Sequence, residues 1–325
     1  MSAIESPTAF RARAPWWGGD LQTLRNKLVR ARVKLPATSE RITVPLSDGS
    51  GDRLAAMLDT PASPTDGPLV VLIHGLTGCE DSAYVRTSAA FHLTRGRRVL
   101  RLNLRGAGPS RASCGGHYHN GCWTDIRDAL ETLDGGLVSQ GVFLVGYSLG
   151  GNVLINLLGR LSHPSPVRGA ATVSAPIEPA QAALRLMSRR NAIYHSWLLR
   201  EMKAECAAPG ARLSEGERAA IDGAQTIWEF DDGFIAPRNG FAGAVDYYER
   251  TAGARITHDI RTPTLMIHAR NDPWIPADPY AALERDPPAN VHVRLLDGGG
   301  HVGFHASDHP ETWHDRCVDA FLEKA

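Results

Sequence analysis

The stretch VFLVGYSLGGNVLINLLGRL, residues 142–161, decides the fold because its hydrophobic pattern changes at a single serine. Residues 142–146 are apolar up to a closing glycine, as in a strand that is buried on both faces. Residues 149–161 follow at once with the apolar spacing of a helix. The junction GYSLG, 146–150, matches G-x-S-x-G, the pattern of a sharp strand-to-helix turn. The sequence therefore predicts that Ser148 stands above the end of a buried strand as a nucleophile.

Two glycines flank this serine, and sterics explain both. The residues two positions before and after the nucleophile approach each other in such a turn, so Gly146 and Gly150 leave out side chains that would clash. The following helix presents free N–H groups and the positive end of its dipole beside Ser148, which suits an oxyanion. The pentapeptide alone is weak support, because a glycine-rich turn with an incidental serine has the same letters.

Strands and helices alternate on either side of this unit. Short apolar runs predict further strands, the first two as a hairpin, at 41–46, 53–59, 69–73, 97–104, 171–175, 262–269 and 291–296. Segments with helical spacing predict further helices at 81–94, 123–134, 278–285 and 310–323. Repeated strand–helix–strand units imply an α/β fold with a mostly parallel central sheet and helices on both faces.

The alternation stops between residues 177 and 260, where the sequence is mixed and favours helix. We expect this segment to be a helical cap inserted over the carboxyl edge of the sheet. A second domain is the alternative, but no Pro-, Gly- or Ser-rich linker marks its boundary. The prediction is one domain over 1–325, with an N-terminal arm at 1–40. The role of the arm, which includes PWWGGDLQTL at 15–24, does not follow from the sequence.

The loop after the predicted strand 69–73 has the sequence HGLTG at 74–78. In this type of site one oxyanion donor is the backbone N–H after the nucleophile, and the other comes from the loop after an earlier strand. The predicted donors are the amides of Leu149 and Leu76. We expect His74 to brace the loop rather than to act as a base.

A carboxylate and a histidine are expected late in the chain, in the order Ser, Asp or Glu, His. Asp272 follows the strand 262–269, and His301 follows the strand 291–296 on a glycine-rich loop. His301 is predicted to take the proton of Ser148, while Asp272 holds the imidazole in the useful tautomer.

Other carboxylates compete with this assignment. Asp297 precedes the histidine by four residues and more simply sets a turn, and Asp308 is predicted to be the N-cap of the last helix. Asp272 itself has a structural alternative, a turn-forming aspartate before Pro273.

Other residues are of types that occur in metal sites, carboxylate pairs or ligand pockets. The ligand types of Cys114, His117, His119 and Cys122 suit zinc, but their spacing matches no closed zinc site, so no metal is predicted. Adjacent carboxylates in FDDGF, 230–234, do not face each other, which favours a turn or helix-cap role. Five tryptophans belong to the core or line an acyl pocket: Trp16, Trp17, Trp197, Trp228 and Trp274.

Composition excludes some classes of function. The 325 residues hold 35 Lys+Arg and 35 Asp+Glu, and this neutral balance gives no electrostatic reason to expect nucleic acid as a partner. Five cysteines without CxxC spacing argue for a reducing compartment. The N-terminal residues carry no apolar signal region and no apolar run reaches spanning length, so we expect a cytoplasmic protein without an integral membrane segment.

Several segments together resemble the YheT-like branch of the α/β hydrolases, a group of carboxylesterases related to eukaryotic membrane-anchored lipid hydrolases. They run over nearly the whole chain: GGDLQTL (18–24), HGLTG (74–78), NLRG (103–106), HYHNGCWTDI (117–126), GYSLGGN (146–152), WEFDDGF (228–234), YYERTAG (247–253), IRTPTLMIHARNDPWIP (260–276) and GGHVGF (299–304). The resemblance implies the α/β-hydrolase fold, with the family triad at Ser148, Asp272 and His301. It also implies that the loop of His117 and His119 is a family feature and not a zinc site.

The expected function is hydrolysis of carboxylic esters with short to medium acyl chains, through a Ser-His-Asp triad and an acyl-enzyme, without a cofactor. The partner would be a small-molecule ester. An acyltransferase or a thioesterase on the same fold stays open. So does a ligand-binding module without catalysis, because a fold does not fix a function.

Overall fold

The computed structural model describes residues 9–29 and 33–324. In these ranges eight strands form one sheet in the order β1-β2-β4-β3-β5-β6-β7-β8. The strands are β1 (Ala37–Pro45), β2 (Arg53–Pro61), β3 (Leu69–Ile73), β4 (Val99–Leu102), β5 (Val142–Tyr147), β6 (Val167–Val173), β7 (Thr264–Ala269) and β8 (Val291–Leu296). Strands β1 and β2 form the predicted hairpin, and β2 is also antiparallel to β4. The pairs from β4 through β8 are parallel. The predicted α/β-hydrolase fold, with its mostly parallel sheet, is confirmed.

Twelve α-helices are described, and most connect the strands. They are α1 (Gly18–Leu28), α2 (Ala83–Leu93), α3 (Trp123–Thr132), α4 (Leu149–Leu158), α5 (Pro179–Leu186), α6 (Ala192–Cys206), α7 (Glu215–Gly223), α8 (Ile227–Phe230), α9 (Ala236–Arg238), α10 (Ala244–Thr251), α11 (Asp278–Arg285) and α12 (Trp313–Leu322). Within the described ranges, no helix combines the length and the apolar character that crossing a bilayer requires.

The centre of the sheet is buried on both faces, as the uninterrupted apolar run of β3 predicts. Its residues Leu69, Val71 and Ile73 belong to one hydrophobic cluster, and Val70 and Leu72 belong to a second cluster on the other side. Because side chains alternate along a strand, a strand covered on both faces has no polar position to reveal its alternation.

The prediction for β6 was wrong at both ends. The sequence indicates a strand at 171–175, but the strand is Val167–Val173. The sequence pattern does not reveal its first residues, because Arg168 is exposed and Gly169 has no side chain to continue the apolar run. It ends earlier because Ser174 adopts φ +54°, a left-handed conformation that extended backbone does not have.

The segment between β6 and β7 is helical and contains α5 to α10. It has its own apolar cluster, in which Phe230, Phe234 and Tyr247 are buried. Leu76, which lies on the loop after β3, packs against this cluster. The side chains of this segment therefore meet the carboxyl edge of the sheet at the loop that precedes α2.

Candidate active site

Ser148 lies at the sharp turn between β5 and α4. Its φ is +49° and its ψ is −124°, a strained conformation for a residue other than glycine. A Cβ at position 146 would come within 2.7 Å of the carbonyl oxygen of Gly150, and a Cβ at position 150 would overlap the carbonyl oxygen of His74. The two glycines of GYSLG are thus required by backbone packing on either side of the serine.

Ser148, His301 and Asp272 form a continuous hydrogen-bonded row. The Oγ of Ser148 lies 2.9 Å from Nε2 of His301, and Nδ1 of His301 lies 2.8 Å from Oδ2 of Asp272. A carboxylate only accepts, so Nδ1 carries the proton and Nε2 accepts from the serine hydroxyl. The structure brings together three side chains that follow β5, β7 and β8, because the carboxyl ends of parallel strands share one edge of the sheet.

The carboxylate of Asp272 is buried and held on both sides. Its Oδ1 accepts the backbone N–H groups of Trp274 at 2.8 Å and Ile275 at 3.0 Å. Burial alone would raise the pKa of Asp272, but the charge and hydrogen bond of His301, the nearby His268 and the Trp274 amide together lower that pKa below its ordinary value. The carboxylate therefore stays ionised and can stabilise a protonated His301.

The N-terminal arm supports the loop that carries His301. The backbone N–H of His301 donates to Oγ1 of Thr23 at 2.8 Å, and Gln22 Oε1 accepts the N–H of His305 at 2.8 Å. Thr23 and Gln22 are the buried residues of α1. Sequence reasoning gave this arm no role; the only available signal was GGDLQTL as a segment of the family resemblance.

The loop at 74–78 lies directly against the nucleophile. A Cβ on Gly75 would be 2.8 Å from the Cβ of Ser148. The N–H groups of Gly75 and Thr77 donate to tyrosine hydroxyls, so the Leu76 amide lies between two occupied donors. The Leu149 amide, at the first position of α4, has no acceptor within its own helix. Leu76 and Leu149, which carry the predicted oxyanion donors, line one cavity together with Ser148.

His74 braces this loop from below. Its Nδ1 donates to the Gly75 carbonyl at 2.8 Å, and its Nε2 accepts the N–H of Leu104 at 3.0 Å. Burial lowers the pKa of His74 to about 4, so the ring is neutral near pH 7 and can both donate and accept. These contacts leave no ring nitrogen for a base.

A cavity of about 710 Å³ opens above Ser148. Its lining is mainly apolar and comes from the sheet edge, from α1 and from α5, α6 and α8, with Leu186, Leu198, Met202 and Ile227 among the apolar side chains. Of the five tryptophans named in the sequence analysis, Trp197 and Trp274 line it, and the Trp274 ring lies 4.5 Å from the His301 ring.

The competing carboxylates lie elsewhere. Asp297 is fully exposed and lies 3.6 Å from Arg270, and Asp308 pairs with Arg316 at 2.9 Å. The predicted N-cap role of Asp308 was wrong, because α12 begins at Trp313 with Thr312 as its N-cap residue.

The residues with metal-ligand chemistry make other contacts. His117 Nε2 donates to the carbonyl of Cys206 at 2.9 Å, and His119 Nδ1 accepts the N–H of Gly121 at 3.0 Å. Within the ranges 9–29 and 33–324, no three His, Cys, Asp or Glu side chains are grouped so that they could share a metal ion.

The carboxylates of FDDGF point in different directions. Asp231 accepts the hydroxyl of Tyr248 at 2.6 Å, and burial raises its pKa to about 7. Asp232 accepts the N–H of Ala244, the first residue of α10, at 2.7 Å. Asp232 therefore caps a helix, whereas Asp231 borders the cavity.

Comparisons with known proteins agree with this architecture. The profile of the family described as "alpha/beta hydrolase fold" matches residues 68–308. The Escherichia coli protein named "Putative esterase YheT" is 32% identical over 307 residues, which cover 93% of this chain and 89% of that relative. The Saccharomyces cerevisiae "Medium-chain fatty acid ethyl ester synthase/esterase 2" is 28% identical over 80% of this chain and 62% of its own length. A solved esterase from Pyrococcus furiosus has a TM-score of 0.61, with 18% identity and 97% of each chain covered, which shows a shared fold.

Proposed function

This chain belongs to the α/β-hydrolase fold family, in the group of the YheT relative, and from that premise we propose how it works. It is a carboxylic ester hydrolase, and Ser148, His301 and Asp272 are its nucleophile, base and orienting acid. The observation that carries the assignment of roles is the hydrogen-bonded row from Ser148 Oγ to His301 and on to Asp272, at 2.9 and 2.8 Å, which borders a cavity of about 710 Å³.

Acylation begins with proton transfer from the Ser148 hydroxyl to Nε2 of His301. The serine oxygen attacks the ester carbonyl, and the oxygen of the tetrahedral intermediate lies between the amides of Leu76 and Leu149. The buried carboxylate of Asp272 stabilises the imidazolium that forms. His301 then passes its proton to the leaving alkoxide, and the acyl group stays on Ser148.

Deacylation repeats these steps with water as the nucleophile. His301 takes a proton from water, the hydroxide attacks the acyl-enzyme, and the Ser148 oxygen leaves with the proton from His301. The free acid and the starting enzyme result.

The cavity supports a substrate of short to medium acyl length. Its volume lies within the roughly 300–1,000 Å³ of sites for small molecules. The helical segment 177–260 supplies much of its apolar wall, which supports the assignment of this segment as a cap on a single domain. Apolar walls bind an acyl chain through the area that they remove from water.

Ester synthesis is a second candidate, because the yeast relative is named as both an ethyl ester synthase and an esterase. The two reactions share the acyl-enzyme and differ in whether water or an alcohol takes the acyl group. Adding ethanol to an ester hydrolysis and measuring free acid against ethyl ester separates them.

The test of the main proposal is hydrolysis of p-nitrophenyl esters of increasing acyl length by the wild type, Ser148→Ala and a control, Ser139→Ala, which changes a serine on the loop before β5. We expect turnover to vanish in Ser148→Ala alone, since removing a triad nucleophile costs on the order of 10⁶-fold in kcat. The optimum in the series measures the usable acyl length. Full turnover by Ser148→Ala would refute the mechanism.

A further inference from the structure

The loop at 74–78, called the oxyanion loop below, is held in a strained conformation by two tyrosine hydroxyls. Thr77 adopts φ +54°, which is unusual for a β-branched residue, and its N–H donates to the hydroxyl of Tyr118 at 2.7 Å. On the other side of Leu76, the N–H of Gly75 donates to the hydroxyl of Tyr84 at 2.9 Å. Strain of this kind persists only where surrounding contacts enforce it. The direction of the Leu76 amide therefore depends on these two hydroxyls.

Tyr118 also has a partner on the helical segment above the sheet. Its hydroxyl lies 2.8 Å from Oε2 of Glu205, in the last turn of α6. The Tyr118 oxygen accepts the Thr77 N–H, and its hydroxyl proton is donated in a hydrogen bond to Glu205. The residue before Tyr118 and the residue after Glu205 form a second hydrogen bond between the same two segments, because His117 donates to the carbonyl of Cys206.

Glu205 faces the cavity that contains Ser148, as Tyr118 does. Burial raises the pKa of Glu205 to about 7, against the hydrogen bond from Tyr118 that favours its charged form. Glu205 accepts the hydrogen bond of the Tyr118 hydroxyl, and the same hydroxyl holds the oxyanion loop by accepting the Thr77 N–H.

We propose that Tyr118 and Glu205 are positioning residues that couple helix α6 to the oxyanion hole through the Thr77 amide. The proposal rests on the proposed function, because it assigns the Leu76 amide to the oxyanion. Neither side chain touches the reacting atoms. A substrate that packs against α6 acts through Glu205, Tyr118 and Thr77 on the direction of the Leu76 N–H. The motif HYHNGCW, which begins at residue 117, thereby has a mechanical role in catalysis.

The test compares Tyr118→Phe with Tyr194→Phe. Tyr194 lies on the same helix α6, and its hydroxyl also donates to a carboxylate at 3.0 Å, but that carboxylate is Asp20 of α1 and does not belong to the oxyanion loop. We expect Tyr118→Phe to lower kcat for a p-nitrophenyl ester by 10- to 100-fold, as for a misplaced catalytic donor, with KM changed less than about threefold. Tyr194→Phe changes kcat less than about twofold.

A second pair of variants tests the link to α6. Glu205→Leu removes the acceptor of the Tyr118 hydroxyl and should lower kcat. Glu205→Gln retains an oxygen that can accept this hydrogen bond, so its kcat should stay close to that of the wild type. Binding of a trifluoromethyl ketone, which forms an oxyanion on the serine, weakens in Tyr118→Phe by the same factor as kcat. Unchanged kcat in Tyr118→Phe, an equal loss in Tyr194→Phe, or a loss confined to KM overturns the proposal.

These outcomes are separate from failure of the proposed function. If the wild type neither hydrolyses esters nor reacts with a fluorophosphonate at Ser148, the hydrolase mechanism fails, and the positioning role fails with it. If the wild type does both and Tyr118→Phe matches it in kcat, only the positioning role is refuted.

Discussion

Replacing Asp272 with asparagine should give His301 the wrong tautomer, because one carboxylate oxygen already accepts two backbone N–H groups. Oδ1 accepts the N–H groups of Trp274 and Ile275, and only Oδ2 faces Nδ1 of His301. In Asp272→Asn the amide oxygen takes the Oδ1 position, and the NH₂ group faces His301. Nδ1 must then accept, the ring proton moves to Nε2, and Nε2 can no longer take the proton of Ser148.

The magnitude follows from the alternative orientation of the asparagine. A flipped amide would restore the tautomer, but it would leave the two backbone N–H groups without an acceptor, at about 1–3 kcal/mol each. The flip therefore costs about 2–6 kcal/mol, so the active arrangement falls to between about one molecule in 30 and about one in 3 × 10⁴, at about 1.36 kcal/mol per factor of ten. We expect kcat to fall by a factor of roughly 30 to 3 × 10⁴, a range that includes the loss of about 10⁴ seen when a triad aspartate becomes asparagine.

The assay is steady-state hydrolysis of a p-nitrophenyl ester, with thermal melting to show that the variant is folded. Asp297→Asn is the matched control, because Asp297 precedes the same histidine but is fully exposed. We expect the control to match the wild type and KM to change little in Asp272→Asn. A folded Asp272→Asn enzyme with less than a tenfold loss in kcat would refute the assignment of Asp272 as the orienting acid.

Three further predictions concern the arm, the elbow and a buried carboxyl group. Thr23→Val removes the acceptor of the buried His301 N–H and should lower the free energy of unfolding by about 1–3 kcal/mol and reduce kcat. Thr23→Ser retains the hydroxyl acceptor and should retain the stability and kcat of the wild type. Equal denaturant melts and rates for the two variants would contradict this. Gly150→Ala forces a Cβ against the His74 carbonyl and should destabilise the protein by about 1–3 kcal/mol or more in chemical denaturation; a wild-type melt would contradict it. Because burial raises the pKa of Glu205 from 4.5 to about 7, its contribution to stability is lost as the pH rises through that window, and Glu205→Gln should flatten the stability curve there; an unchanged slope would exclude this.

The sequence predicts the fold and the placement of the three reactive side chains because each follows a visible apolar strand. Ser148 and His301 are 153 positions apart, and His301 and Asp272 are 29 apart, but all three leave the same edge of a parallel sheet. Their catalytic roles stay predictions that the variants above test. The apolar pattern of the strands and the chain order Ser, Asp, His suffice for the placement, since topology supplies the proximity.

The support from the arm was not predictable from the same pattern. Thr23 contacts His301 across 278 positions, and the buried residues of α1 are Gln22 and Thr23, both polar. Hydrophobic periodicity locates a helix by its apolar face, so a helix that docks through hydrogen bonds gives no such signal. For the same reason the bond between Tyr118 and Glu205 has no counterpart in the periodicity, because each of its partners is a single polar side chain.

The parts of the site differ in how freely they can move, and this determines which kinetic constant each substitution should change. Ser148 directly follows β5, whose strand pairing cannot shift without breaking ladder hydrogen bonds. Asp272 lies on the loop after β7, where its own carboxylate accepts the N–H groups of Trp274 and Ile275. His301 and Leu76 lie on loops, and their positions depend on hydrogen bonds to α1 and, through Tyr118, to α6. Substitutions that cut these bonds should therefore lower kcat by misplacing a donor or a base that the transition state needs. Substitutions of apolar cavity residues remove contacts that substrate and transition state share, and they should raise KM instead.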